Sequence, residues 1–282
     1  MATHPILVTG ATGNAGAALT RVLAAAGHRV RAADLRPASL PPGVAFAPFD
    51  FNDPATFGPA LREVRRVFLL RPPQLADVKR QFDPFLQAMA RAGVEQVTFL
   101  SLIGAQHNRL VPHRAIEDRL IASGLGWTML RCGFFMQNLS GAHRAEIREL
   151  GEIIVPAGRG RTSFIDVRDI AAVAARTLTE DGHAGRAYPL TGAVALDYFE
   201  VASVLSQVLG RAIVYRRPSL LRFARFQLAR GAAPAFVAVM AGIYTTTRLG
   251  MAATVTPDAA RLLGRPQRTL RAFAEDHAAV WS

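Results

Sequence analysis

Apolar positions in this chain alternate between two rhythms. Short continuous runs of the kind a strand buried on both faces needs are followed by stretches with apolar residues every three or four positions. Ile6-Leu7-Val8 is the first such run, and Ala17, Ala18, Leu19, Val22 and Leu23 follow it at helix spacing. The alternation repeats. It predicts strands over 28–33, 44–49, 67–70, 97–100 and 127–130, and helices over 55–64, 74–91 and 113–122. Gly27, Gly93 and Ser123-Gly124 act as stops, and Pro84 is a candidate kink. Beyond Gly151 the rhythm changes. A short strand over 152–155, an Ala-rich helix opening at 163–169 and running to Leu178, a strand over 187–190 and a helix from the Asp197 cap to Leu209 are expected there, with mostly helix after that.

Strand-helix alternation implies an α/β fold, a Rossmann-type doubly wound parallel sheet. Residues 1–150 are expected to form the Rossmann core. Residues 151–282 are expected to form a smaller, mostly helical substrate-side lobe that returns strands to the core.

Between the first strand and the first helix the chain reads G-A-T-G-N-A-G, with Gly10, Thr12, Gly13, Asn14, Ala15 and Gly16 in a tight turn. Three glycines in that context are the pattern of a loop that cradles a diphosphate. Gly10 allows the turn, Gly13 lets the backbone approach the anion, and Gly16 lets the helix pack closely while its free N–H groups face the ligand. The second strand ends at Asp34, eighteen residues past Gly16. A carboxylate there can accept from adenosine ribose hydroxyls and would repel a 2′-phosphate, whereas Arg36 offers a phosphate partner. The balance leans toward NAD(H) within an NAD(P)H expectation.

Composition adds limits. With 282 residues, half of them hydrophobic, the chain can bury a large core, and a single cysteine, Cys132, excludes an internal disulfide. No basic-then-apolar leader is evident and 236–244 is too short to span a bilayer, so a cytoplasmic protein without membrane partners is expected. The net charge of +12 raises nucleic acid as a partner, but the arginines are scattered. The densest set, between Arg211 and Arg230, suits the solvated face of an amphipathic helix. No His, Cys or Asp cluster has metal-ligand spacing. A small-molecule substrate, no nucleic acid and possible self-association are the partner expectations.

Four further stretches carry a likeness. F-L-S-L-I-G-A at 99–105, L-R-C-G-F-F-M-Q-N at 130–138, F-I-D-V-R-D-I-A-A-V at 164–173 and V-T-P-D-A-A-R-L-L-G-R-P-Q-R-T-L at 255–270, with the glycine loop, resemble the NmrA-like branch of atypical short-chain dehydrogenases/reductases. That branch includes NAD(P)H-dependent quinone reductases, reductases of ergot-alkaloid type, and regulators that bind the dinucleotide without chemistry. The resemblance implies that Asp34, Leu35 and Arg36 discriminate the 2′-phosphate and that Asp50 and Phe51 lie on the adenine side. It also implies that Leu70, Arg71 and Pro72 lie near the nicotinamide ribose. Relatives often carry arginine at Leu35 and a small polar residue at Arg71, so both positions depart from the pattern.

The superfamily's Tyr-x-x-x-Lys pair is absent, since Lys79, the one lysine, has Leu75 four residues before it. His113 and Glu117, one helical turn apart, are the candidate replacement: Glu117 would orient or charge the imidazole, which would pass a proton. Ser101 could bond a substrate oxygen as well as line the cofactor crevice. Phe134, Phe135 and Asn138 would form an apolar pocket with one polar anchor. The activity expected is hydride delivery to a quinone, enone, carbonyl or imine. The alternative is a non-catalytic dinucleotide sensor.

Overall fold

Seven strands lie side by side in one sheet, all parallel, in the order β3-β2-β1-β4-β5-β6-β8. The computed structural model describes residues 4–37 and 39–282. The sheet strands are β1 (Ile6–Thr9), β2 (Val30–Asp34), β3 (Ala45–Pro48), β4 (Arg66–Leu70), β5 (Gln96–Leu102), β6 (Gly126–Cys132) and β8 (Arg186–Leu190). A separate two-stranded parallel pair joins β7 (Glu152–Ile153) to β9 (Val214–Tyr215). Chain order reverses direction between β1 and β4, which puts the ligand crevice of such a sheet at their carboxyl ends.

Helices α1 (Asn14–Ala25), α2 (Phe57–Leu61), α3 (Val78–Arg91) and α4 (Pro112–Ala122) connect the first six strands. The expected helix over 55–64 is shorter than its pattern. A 3-10 turn at Pro54–Thr56 precedes α2, and Arg62 leaves the helix with ψ of 121°, followed by Glu63 in a left-handed conformation. Helix α3 begins at Val78, later than expected, because the Asp77 side chain accepts from the Arg80 amide and fixes the start there. Pro84 sits inside it.

Between α3 and the sheet, five phenylalanines, Phe49, Phe51, Phe57, Phe82 and Phe85, meet with ring centroids 4.6–5.6 Å apart. Among the described residues no helix is long and apolar enough to cross a membrane.

The remaining helices are α5 (Gln137–Ser140), α6 (Val167–Thr179), α7 (Tyr198–Leu209), α8 (Leu220–Ala229), α9 (Pro234–Arg248), α10 (Asp258–Leu263) and α11 (Leu270–Asp276). Asp197 caps α7 through a full capping box with Glu200.

Two compact units result. One holds the chain up to Cys132 together with 167–190 and 261–264; the other holds 133–166, 191–260 and 265–282. The division thus falls after Cys132, not after residue 150. The segment carrying α6 and β8 returns to the first unit, where α6 packs on α1. The second unit has its own aromatic core around Tyr198, Tyr244, Phe223, Phe273 and Trp281.

Candidate functional site: the carboxyl ends of the parallel sheet

The loop leaving β1 is built by close backbone approach. Gly10 has φ of +62°, and a Cβ on Gly16 would lie 2.1 Å from the Gly10 carbonyl oxygen, so only glycine brings α1 this near the loop. No side chain caps α1, whose N-cap is Gly13, and its first turn carries no acid. The amides of Asn14, Ala15 and Gly16 therefore lack intrahelical acceptors and keep the positive end of the helix open toward the crevice. Thr9 reinforces the edge beneath. Its hydroxyl donates to the Phe68 carbonyl at 3.0 Å and accepts from the Leu70 amide at 2.9 Å, tying β1 to β4. This cradle fits the diphosphate of a dinucleotide.

Asp34 is engaged within the chain. One carboxylate oxygen accepts from the amide (2.9 Å) and hydroxyl (2.8 Å) of Thr12, and the other accepts from the Leu35 amide at 2.8 Å. It holds the glycine loop against the end of β2, with lone pairs left for further donors. Leu35 is 67% exposed and Arg36 is exposed beside it, so no arginine fork closes this corner.

Phe51 is placed elsewhere than expected. It is buried in the phenylalanine cluster, 4.6 Å from the Phe82 ring, and is a core residue, not an adenine contact. Asp50 accepts from the amide and side chain of Asn52 and makes a turn.

Leu70 lies under Gly10. Arg71 follows, half-buried, its Nη1 donating to the carbonyls of Pro72, Pro73 and Leu75.

The proposed proton relay does not form. Glu117 is buried, and both its oxygens are taken. Oε1 accepts from the Ser101 hydroxyl at 2.6 Å and from Arg131 Nε at 3.0 Å, while Oε2 accepts from Arg131 Nη2 at 2.7 Å. This clamp joins β5, α4 and β6. His113 is also buried, and its Nδ1 has no partner among the described residues. Burial, and then the Arg71 charge, push its pKa down to about 3. Glu117 thus does not charge the imidazole, and a histidine that is neutral at physiological pH is not a general acid there. Ser101 is 1% exposed, with its proton directed at Glu117. Arg131, the residue that completes the clamp, drew no role from the sequence because its partner lies fourteen residues away on a different element.

In the second unit, Phe134 packs edge-on against Phe164 at 5.7 Å and lies 6.0 Å from Tyr244. Phe135 bridges to Ile165 through its backbone, and its side chain is half-buried. The Asn138 amide N–H donates to the Phe135 carbonyl at 3.1 Å. Burial pushes the Cys132 thiol up, as befits a core residue. In the arginine-rich segment, Arg216 and Arg230 pair with Glu152 and Glu149. Arg222 and Arg225 are exposed on α8, which buries Phe223.

Comparison with known proteins is consistent with this geometry. A model of the NmrA-like family matches residues 2–233. An NAD(P)H azoreductase from Xenophilus azovorans is 35% identical, over 98% of this chain and 99% of its own. A (4-alkanoyl-5-oxo-2,5-dihydrofuran-3-yl)methyl phosphate reductase from Streptomyces griseus is 33% identical over the same shares. The crystal structure of an NADPH-dependent quinone oxidoreductase from Escherichia coli complexed with NADPH superposes with a TM-score of 0.86 at 27% identity, covering 97% of this chain and 99% of that one.

Proposed function

This chain belongs to the NmrA-like family, and from that premise we propose that it is an NAD(P)H-dependent reductase of small, flat, electron-poor acceptors. The observation that carries the reading is the loop between β1 and α1, where Gly16 admits an approach no other residue allows and α1 is left uncapped. Gly10, Thr12, Gly13, Asn14, Ala15 and Gly16 would hold the diphosphate, and Asp34 the adenosine ribose. When bound, the reduced nicotinamide supplies a hydride.

The protein's own residues supply position more than protons. Ser101, Glu117 and Arg131 lock the ends of β5 and β6, and His113 stays neutral. An acceptor whose reduced form takes its proton from water needs nothing more. A quinone fits that requirement better than a simple ketone or imine, which gains from a positioned acid. The azoreductase and the quinone oxidoreductase among the relatives are named for azo compounds and quinones, and both classes are electron-poor acceptors. The phosphate reductase widens the range to an unsaturated lactone ester.

Between the two dinucleotides, Asp34 opposes a 2′-phosphate and Arg36 favours one. The E. coli structure holds NADPH, so the lean toward NAD(H) finds no support there. We therefore take both as substrates of the reductase.

The test combines calorimetric titration of NADH and NADPH with loss of reduced-nicotinamide absorbance on a panel of quinones, azo compounds and enones. Binding with turnover is expected. Binding without turnover across the panel would establish a dinucleotide sensor instead, and failure to bind either dinucleotide would remove both readings.

A further inference from the structure

One arginine at the sheet's carboxyl edge holds its charge without an acid. Arg71 is half-buried, and among the described residues no carboxylate pairs with it. Burial alone pulls its guanidinium below the ordinary arginine value, with no neighbouring acid to raise it again. All three of its hydrogen bonds leave from Nη1, to the carbonyls of Pro72 (3.1 Å), Pro73 (3.1 Å) and Leu75 (2.6 Å). Those bonds fix the plane of the group. Nε is buried without a partner, and Nη2 makes no hydrogen bond.

The unpartnered side of Arg71 is thus the Nε–Nη2 edge, the fork that grips a carboxylate, sulfonate or phosphate with two parallel bonds; an anion reaches it at Nη2, since Nε is covered and would join the fork only as the anion seats. Arg131 shows the same edge in use: its Nε and Nη2 hold Glu117 at 3.0 and 2.7 Å. The neighbourhood does not neutralise Arg71 either. His113, close enough for the Arg71 charge to depress its proton affinity, is uncharged and has an unpartnered Nδ1. A half-buried cation without a counter-charge is unfavourable for folding, so an anion arriving there gains from satisfying it.

Its place in the fold narrows which anion. Arg71 directly follows β4, one strand across the switch point from β1, whose own loop presents the amides suited to the diphosphate. On the reductase reading, the ligands that meet this edge are the nicotinamide end of the dinucleotide and the acceptor beside it, and of the two the acceptor is the one without a loop of its own to take its charge.

We propose that Arg71 is a specificity residue that receives an acidic substituent of the acceptor, so that the preferred substrates are aromatic or conjugated compounds bearing a sulfonate, carboxylate or phosphate. The inference rests on the reductase reading but is tested apart from it.

Selectivity, the ratio of kcat/KM for 1,4-naphthoquinone-2-sulfonate to that for 1,4-naphthoquinone, is measured with NADPH for the wild type, Arg71→Gln and Arg71→Lys. Because the ratio cancels any change in dinucleotide binding, it isolates the acceptor's charge. Arg71→Gln is expected to lower it at least tenfold, chiefly through KM of the sulfonated quinone, with partial recovery in Arg71→Lys. An unchanged ratio would overturn the proposal; if both kcat/KM values fall together while the ratio holds, Arg71 serves the dinucleotide instead. If Arg71→Gln does not fold, Arg71→Lys keeps the charge without the two-pronged edge, and its ratio should still fall about threefold.

Calorimetric titration of 2-naphthalenesulfonate, with and without NADP+, adds a readout independent of turnover. Binding to the wild type that Arg71→Gln or Arg71→Lys weakens supports the proposal. Equal binding to wild type and variant, or none to the wild type, overturns it.

Discussion

At the level of single residues, the environment of a side chain decides its chemistry more than its type does. His113 has the residue type and the helical neighbour of a general acid, yet it stacks on Phe99 with centroids 6.0 Å apart and its pKa is held near 3, first by burial and then by Arg71. The folded value lies below the unfolded one of about 6.5, so between the two the unfolded chain binds the extra proton. Stability from this residue is complete above pH 6.5 and is lost as the pH falls toward 3. Urea unfolding at pH 7.5 and pH 5 should show the wild type losing on the order of 2 kcal/mol more than His113→Asn across that interval. Equal losses would mean that the imidazole is not held neutral. Asp34 can be tested in the same way. Removing its carboxylate in Asp34→Ala removes the repulsion of a 2′-phosphate and also frees the Thr12 amide and hydroxyl. The ratio of NADPH to NADH affinity should rise roughly tenfold, about 1.4 kcal/mol, while both affinities weaken from the loosened loop. An unchanged ratio in paired calorimetric titrations would leave Asp34 with the loop alone. Sequence placed Asp34 at the end of a strand and His113 on a helix, as the structure has them. It could not show that Phe51, next to the acid Asp50, turns inward to meet Phe82, because an apolar ring suits a ligand edge and a core equally well.

At the level of elements, side chains at the carboxyl edge of the sheet fasten the strand ends to one another. Thr9 ties β1 to β4, and Glu117 on α4 ties β5 to β6 through Ser101 and Arg131. The Glu117 carboxylate is 2% exposed, so removing one member of the pair strands a buried charge. Glu117→Ala should reduce stability by about 3–5 kcal/mol. Glu117→Leu combined with Arg131→Met should recover much of that loss, because two apolar groups can replace a buried pair at little cost. Urea midpoints of the single and double variants, at constant m, check it; a double variant as unstable as Glu117→Ala would show that the clamp is more than a paired charge. The strands that this clamp fastens were legible as apolar runs, and their alternation with helices identified the parallel sheet. Their ends were less so. β5 and β6 extend to Leu102 and Cys132, two residues beyond their apolar runs, because ladder partners carry the pairing through Ser101 and Arg131. Helix α2 falls short because the chain turns at Arg62 and Glu63, the first extended and the second left-handed, which neither residue type announces.

At the level of the whole molecule, the path of the chain determines which pieces can stand alone. A division at residue 150 reads naturally from the sequence, since the strand-helix rhythm breaks there. Spatially, however, α6 and β8 belong with the strands that precede it. Helix α6 buries Val167, Ile170, Val173, Ala174 and Leu178 and packs on α1, while β8 pairs with β6 through five residues from Thr128 to Cys132. A chain ending at residue 150 would leave β6 as an unpaired edge and expose the surface that α6 covers, with apolar area at roughly 25 cal/mol per Å² returned to water. Nothing in residues 133–150 replaces them, because that segment packs with the second unit. A fragment of residues 1–150 should therefore keep far-ultraviolet helical signal while losing near-ultraviolet dichroism, bind a hydrophobic dye, and show a broad, low-m urea transition. The full chain should unfold with a sharp one. A fragment that unfolds cooperatively and binds NADPH as tightly as the full chain would show that the glycine-loop half is autonomous, and that the returning helix and strand are dispensable to it. The expected failure has a direct structural cause: the strand that completes the sheet and the helix that covers its face are encoded after the excursion into the second unit, so the loop that would hold the dinucleotide depends on residues more than 150 positions downstream of it.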